Sequence, residues 1–158
     1  MTQFTKEPWQ TSRMMEHVQI LNRSLERWTG RKLVAGAVSA PELADRLFHA
    51  PFVVVSHGRE DDPILNYGNA TALSLWEMAW EELTATPSRL TAEAPNREER
   101  ARLLAAVTEK GFIDDYSGIR ISQTGRRFRI RQATVWNLLG PDDKYYGQAA
   151  MFRHWELI

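Results

Sequence analysis

The stretch at residues 51–69, PFVVVSHGREDDPILNYGN, constrains the fold more than any other. It opens with a continuous β-branched run, passes through a polar turn at REDDP, and closes with a second short apolar run that stops at Gly68 and Asn69. A continuous β-branched run is the mark of a strand buried on both faces. Two such runs around a polar turn form a hairpin. A helical pattern starts at once in ATALSLWEMAWEEL, read as one helix with Leu73, Trp76, Trp80 and Leu83 on one side. Asparagine suits that corner. It tolerates unusual backbone angles, and its side chain caps the exposed amides of the helix that follows.

The rest of the chain falls into place around the corner. Upstream, Met14, Val18, Leu21, Leu25 and Trp28 recur at helical spacing, with Thr11 or Ser12 as the start and Gly30 as the stop. SAPELADRLFHAP is a second, shorter helix, capped by Ser39, with Pro41 in its first turn and Pro51 closing it. Downstream, TATPSRLTAEAPN is an irregular connector. REERARLLAAVTEKG is a helix with Leu103, Leu104 and Val107 inward and Gly111 at its end. DYSGIRIS and RRFRIRQATVWNLL flank the tight turn QTGR, and YYGQAAMFRHWELI is the last strand. In the middle strand Phe128, Ile130 and Trp136 share one parity, and Arg127, Arg129 and Arg131 the other. Two strands, a helical crossover and a three-strand meander predict an α+β fold: one five-stranded antiparallel sheet with helices on one face. No internal repeat, low-complexity tract or interdomain linker interrupts it.

Bulk properties narrow the function classes. The chain has 158 residues, 43% hydrophobic and 25% charged, which fits one globular domain. It has no cysteine, so disulfides, thiolate metal sites and cysteine nucleophiles all drop out. Twenty basic and twenty acidic residues balance, so nothing asks for nucleic acid as a partner. No apolar run approaches a membrane span, and the first ten residues, MTQFTKEPWQ, carry no leader-like apolar stretch. A cytoplasmic protein is expected.

Several motifs, in order, carry a closer likeness: LFHAPFVVVSHGREDDPILNYGNATALSLWEM, PSRLTAEAPNREER, GIRISQTGRRFRIRQATVWNL and YYGQAAMF, with RSLERWTGRKL near the start. On these the chain resembles the MEKHLA family over nearly its whole length. That is a PAS-like group seen as small bacterial proteins and at the C-terminus of plant homeodomain–leucine-zipper transcription factors. The resemblance implies a PAS-like fold over residues 39–158, with residues 1–38 as an N-terminal helical extension. It also implies a sensory or regulatory role, without a settled ligand.

Candidate ligand-binding residues follow from that placement: Tyr67, Asn69 and Trp76 at the strand–helix corner, Arg120 and Trp136 on the meander, and Gln148 on the last strand. The structural alternative at the corner is a cap plus aromatic core filling. Arg129 and Arg131 mark either a partner-docking face or a solvated one, with Glu16 or Glu26 as expected partners if the first helix covers them. Arg89, Thr91, Glu93, Arg97 and Arg100 crowd one loop. An anion site there needs convergent arginines; otherwise Asn96 caps the next helix, with Glu99 completing a capping box. His57 with Asp61 and Asp62 reads as turn chemistry rather than a metal or acid–base cluster. His17, His49 and His154 lack ligand spacing, and no metal is expected. Some flavin-binding PAS domains carry a glutamine where Gln148 falls, so a noncovalent flavin stays open, although no cysteine exists to form a photoadduct.

Three functions are in play. The first is a sensory module that binds a small ligand or a protein partner and signals by conformational change, through another protein or a homodimer. The second is a small α+β enzyme using the same cavity through His57, Tyr67, Arg120 and Gln148. The third is a ligand-free interaction module. A cavity of several hundred Å³ favours ligand binding, and a solid core favours the third.

Overall fold

The computed structural model describes residues 7–36 and 38–158; of the first ten residues, whose lack of an apolar run was noted above, residues 1–6 lie outside them. Five strands form one antiparallel sheet: β1 (Val53–His57), β2 (Leu65–Gly68), β3 (Phe112–Ile121), β4 (Arg127–Leu139) and β5 (Tyr145–Phe152), in the spatial order β2-β1-β5-β4-β3. A short β6 (His154–Leu157) continues β5 along the same side of β4, beyond a bend at Arg153. The helices are α1 (Ser12–Thr29), α2 (Ala40–Phe48), α3 (Ala70–Trp76), α4 (Trp80–Leu83) and α5 (Ala94–Lys110). No described helix is long and apolar enough to cross a membrane.

Helices cover both faces of the sheet, not one as the element order suggested. On one face α1 and α2 bury Val18, Leu21, Leu25, Leu43 and Leu47 against Val54, Tyr67, Trp136 and Leu138. The apolar stripe of α1 therefore closes on its own domain. The Trp28 indole donates to the Asn137 carbonyl at 2.9 Å, and the Leu139 amide donates to the Ser24 hydroxyl at 2.9 Å. On the other face Ala72, Leu75 and Trp76 of α3 meet Val53, Phe128, Ile130 and Phe152. Leu103 and Val107 of α5 meet Val135 on the same side.

Three expectations need correction. The helix after Asn69 is not continuous. Glu77 turns left-handed (φ 58°), ending α3, and α4 starts three residues later. Glu77 is held there because its carboxylate accepts from the Ser122 hydroxyl at 2.9 Å and from the Thr124 hydroxyl, tying the break to the β3–β4 turn. Trp76 and Trp80 then serve different clusters, Trp80 packing edge-on against Tyr67 at 5.6 Å.

Second, the parity of β4 is not constant. Gln132 is left-handed (φ 52°), and the β3–β4 register shifts beside it. Phe128, Ile130, Ala133 and Val135 consequently share one face, and Trp136 turns to the α1 side. Asp115 (φ 56°) on β3 and the bend at Arg153 flank this bulge, so a crease runs across three strands.

Third, α5 begins at Ala94, with Glu93 at the N-cap position and Pro95 in the first turn. Asn96 lies inside the helix, and Glu99 accepts from the Tyr116 hydroxyl instead of closing a capping box.

Candidate functional site

The strand–helix corner is built around Asn69, which is fully buried. Its Oδ1 accepts from the Ala72 amide, capping α3, and from the Val54 amide, each at 3.1 Å. Its Nδ2 donates to the carbonyls of Leu47 at 3.1 Å and Phe52 at 2.8 Å. One side chain so joins the end of α2, both sides of β1 and the start of α3. All its hydrogen-bonding capacity is used, leaving none for a ligand. Tyr67 is buried on the α1 face beside His17 and Trp80. Burial raises the pKa of its phenol far above the ordinary value. Trp136 fills the same cluster.

On the opposite face, between the sheet and the α3–α5 crossover, lies a cavity of about 70 Å³. Of the six candidate residues it gathers Trp76, Arg120 and Gln148 along its wall, while Tyr67, Asn69 and Trp136 stand away from it. Its floor is apolar: Val55, Ile130, Ala133, Val135 and Phe152. Its rim is polar and comes from four different segments. His57 ends β1, Ser88 and Thr91 come from the 3-10 turn Ser88–Thr91, Arg100 from α5, and Tyr116 and Arg120 from β3.

The electrostatics of that rim are unbalanced. Arg120 is only 6% exposed, yet it bonds neutral oxygens, the Ile119 carbonyl at 2.9 Å and the Tyr116 hydroxyl at 3.0 Å. The Arg100 guanidinium donates to the Ser88 hydroxyl. Burial, and then the positive charge of Arg120, lower its pKa to about 10. On the surface, by contrast, Arg27, Arg31, Arg89 and Arg127 each meet a carboxylate, Asp143, Asp114, Asp62 and Glu93 respectively.

His57 is buried in β1 and faces the cavity, not in the turn with Asp61 and Asp62. Its Nδ1–H donates to the Gly58 carbonyl at 2.8 Å, and its Nε2 has no partner among the described residues. Burial lowers its pKa below 6.5. Gln148 stands opposite His57 in the β1–β5 register, with Nε2 near the Asn137 Oδ1, the Thr108 hydroxyl and the Leu104 carbonyl at 3.0–3.1 Å.

The remaining expectations resolve as follows. Arg129 and Arg131 pair with Glu156 of β6, not with Glu16 or Glu26. Ser56 donates to the Asn66 Oδ1 at 2.6 Å and accepts from the His17 Nε2 at 2.9 Å, so this Ser–His pair is a buried tie between α1 and β1. Sequence reasoning singled out Arg100 within a crowded loop, and passed over Ser88 and Tyr116. Ser88 carried only that crowding as a signal and Tyr116, on β3, carried none, since the contacts that bring them to the cavity are tertiary.

Sheet order and crossover together define the PAS class of fold. The PAS domain of a protein from Colwellia psychrerythraea aligns with a TM-score of 0.61 at 14% identity, covering 74% of this chain and 94% of that one. An RNA-binding light-oxygen-voltage receptor aligns with a TM-score of 0.62 at 16% identity, covering 75% and 34%. Such low identities speak for fold alone. Within that class the chain belongs to the MEKHLA domain family, whose model matches residues 15–157. It is 26% identical over 96 residues to the homeobox-leucine zipper protein ATHB-14 of Arabidopsis thaliana. It is 22% identical over 119 residues to the homeobox-leucine zipper protein HOX10 of Oryza sativa. The chain spans only 11% and 14% of the length of those two relatives.

Proposed function

We propose that this chain is a sensory or regulatory module that takes a small ligand between the sheet and α5, and that ligand occupancy changes how tightly α5 and the preceding connector are held. One observation carries this reading: a cavity whose polar rim, Arg100, Arg120 and His57, is contributed by separate elements around an apolar floor. Ligand sites combine an apolar body with a few convergent polar groups in this way. At about 70 Å³ the cavity is far below the usual range for drug-sized ligands, and a flavin ring system does not fit it. A ligand of a few heavy atoms is the match. Signalling through a partner protein, or through a second copy of the chain, is part of the proposal. The α1 stripe does not by itself call for a second copy, because it is already closed on the sheet.

The test is native mass spectrometry of protein purified from its own host, joined to a melting-temperature screen against small metabolites of all charge types. The expected result is a retained small mass, or a compound that raises the melting temperature and slows amide exchange in α5. A clean apo mass together with no stabilising compound overturns the reading.

A further inference from the structure

The cavity's rim carries more positive charge than the chain neutralises. Two arginines reach it, and the hydrogen bonds of both go to neutral oxygens, a carbonyl and two hydroxyls. A buried guanidinium without a counter-charge is costly, so native proteins pair such groups or neutralise them with a bound anion. The nearest carboxylates are engaged elsewhere. Glu99 reaches Arg120 only through the Tyr116 hydroxyl, which it accepts at 3.0 Å, and Asp62 pairs with Arg89. One further donor stands at the same void without a partner among the described residues, the Trp76 indole Nε1. Buried polar groups that lack partners are rare enough in native structures to call for an occupant.

The backbone leaves room for this arrangement. A Cβ at Gly118 would collide with the Tyr116 hydroxyl and stand 3.1 Å from an Arg120 terminal nitrogen. Glycine at that position lets tyrosine and arginine lie side by side over the strand.

We propose that this cavity is a binding site for a compact carboxylate, whose oxygens bridge Arg100 and Arg120 and whose short hydrocarbon part lies on Ile130, Val135 and Phe152. Planar guanidinium groups match a carboxylate in a two-point contact, and they match phosphate equally well. The apolar floor decides for the carboxylate, because inorganic phosphate has nothing to place there. The site rests on the module reading above, and it gives that reading a mechanism. The anion would link α5 to β3, the two elements whose cations otherwise repel each other.

The experiment is isothermal titration calorimetry on the full chain, with propionate and lactate as probes. Inorganic phosphate and the uncharged isostere propionamide serve as comparisons. Propionate or lactate is expected to bind, and propionamide is not. Arg100→Gln and Arg120→Gln are each expected to weaken the carboxylate about tenfold or more. Arg27→Gln, on the surface with Asp143 as its partner, is expected to leave it unchanged. In carboxylate-free buffer the two cavity variants should melt no lower than the parent, because each removes a charge that no carboxylate pairs, buried at Arg120 and half-buried at Arg100; this separates a lost ligand from a lost fold. Arg100→Lys keeps the charge and serves as a second variant if the glutamine form fails to fold; it is expected to retain weaker binding. Phosphate binding without carboxylate binding overturns the ligand assignment. Equal binding of propionate and propionamide, or carboxylate binding unchanged in both arginine variants, overturns the anion site and leaves the module standing. No binding of either carboxylate by the parent chain overturns the inference, and the metabolite screen then decides the module separately.

Discussion

Asn69 makes four buried hydrogen bonds from one amide, and removing it strands several partners at once. Asn69→Ala is expected to cost about 2–4 kcal/mol, more than a simple cap, because unsatisfied buried amides and carbonyls add to the loss. Asn69→Asp should not rescue it, since a carboxylate facing the Leu47 and Phe52 carbonyls cannot donate to them. Urea unfolding of both variants measures this. Buried His17 gives a pH dependence. Its pKa falls from 6.5 to about 4, mainly through burial and then through the charge of Arg13. The unfolded chain therefore takes up a proton at a higher pH than the folded chain does. Stability is full above pH 6.5 and declines as the pH drops from 6.5 toward 4, by about 3 kcal/mol for a shift of that size. His57, lowered by burial, adds in the same direction. His17→Gln, which keeps a donor for Ser56, should flatten most of this slope in denaturant midpoints measured across that window. At this scale the cap of Asn69 was legible because capping is a local affair of a few residues. The placement of His57 and Arg100 at one cavity was not. Whether a histidine at a strand end faces water or a cavity depends on strands and helices far away in the sequence.

At the scale of elements, periodicity read the hairpin, the meander and the amphipathic α1 well, since each reflects a local alternation of apolar and polar positions. It failed at the left-handed Glu77 and Gln132. Glutamate and glutamine carry no signal for such a conformation, and nothing near them in sequence shows it. Tertiary ties hold Glu77 to the β3–β4 turn, and Gln132 sits in a register shift between neighbouring strands. The role of α1 also became clear only at this level. It is a wall of the core, with Leu21 fully buried among the side chains of its own sheet. Leu21→Ala is expected to lose about 2–5 kcal/mol, the range for deleting a buried leucine side chain. Trp76→Ala, on the other face, is expected to lose about 3–5 kcal/mol and to enlarge the cavity. Its thermal midpoint should partly recover with a bulky apolar additive such as benzene, while that of Leu21→Ala should not. Equal responses would mean that Trp76 does not border the void.

For the whole molecule, the sheet is a partition. The face under α1 and α2 is packed with aromatic and aliphatic side chains, and the face under α3 and α5 holds the cavity. Perturbations should follow that division. Substitutions under α1 are expected to lower the global midpoint with little effect on exchange protection in α5. Ligand binding, and Arg100→Gln or Arg120→Gln at the rim, should do the reverse, as hydrogen–deuterium exchange can show.

The crease at Asp115, Gln132 and Arg153 has a consequence for chain length. Gln132 is one residue beyond a regular alternation, since Ile130 and Ala133 share a face three positions apart, so β4 can lose Gln132 and keep its facing, whereas losing a residue after the crease turns over everything beyond it. Deleting Thr134 would aim Trp136 at the cavity and Val135 at α1, and no soluble folded protein is expected. An added residue in the exposed turn at Asp142 and Asp143 should pass unnoticed. Soluble yield and circular dichroism of the two length variants separate these outcomes. Across relatives of this chain, gaps and insertions are expected to gather at that turn and to avoid the regular stretch of β4 beyond the crease, whatever side chains occupy it.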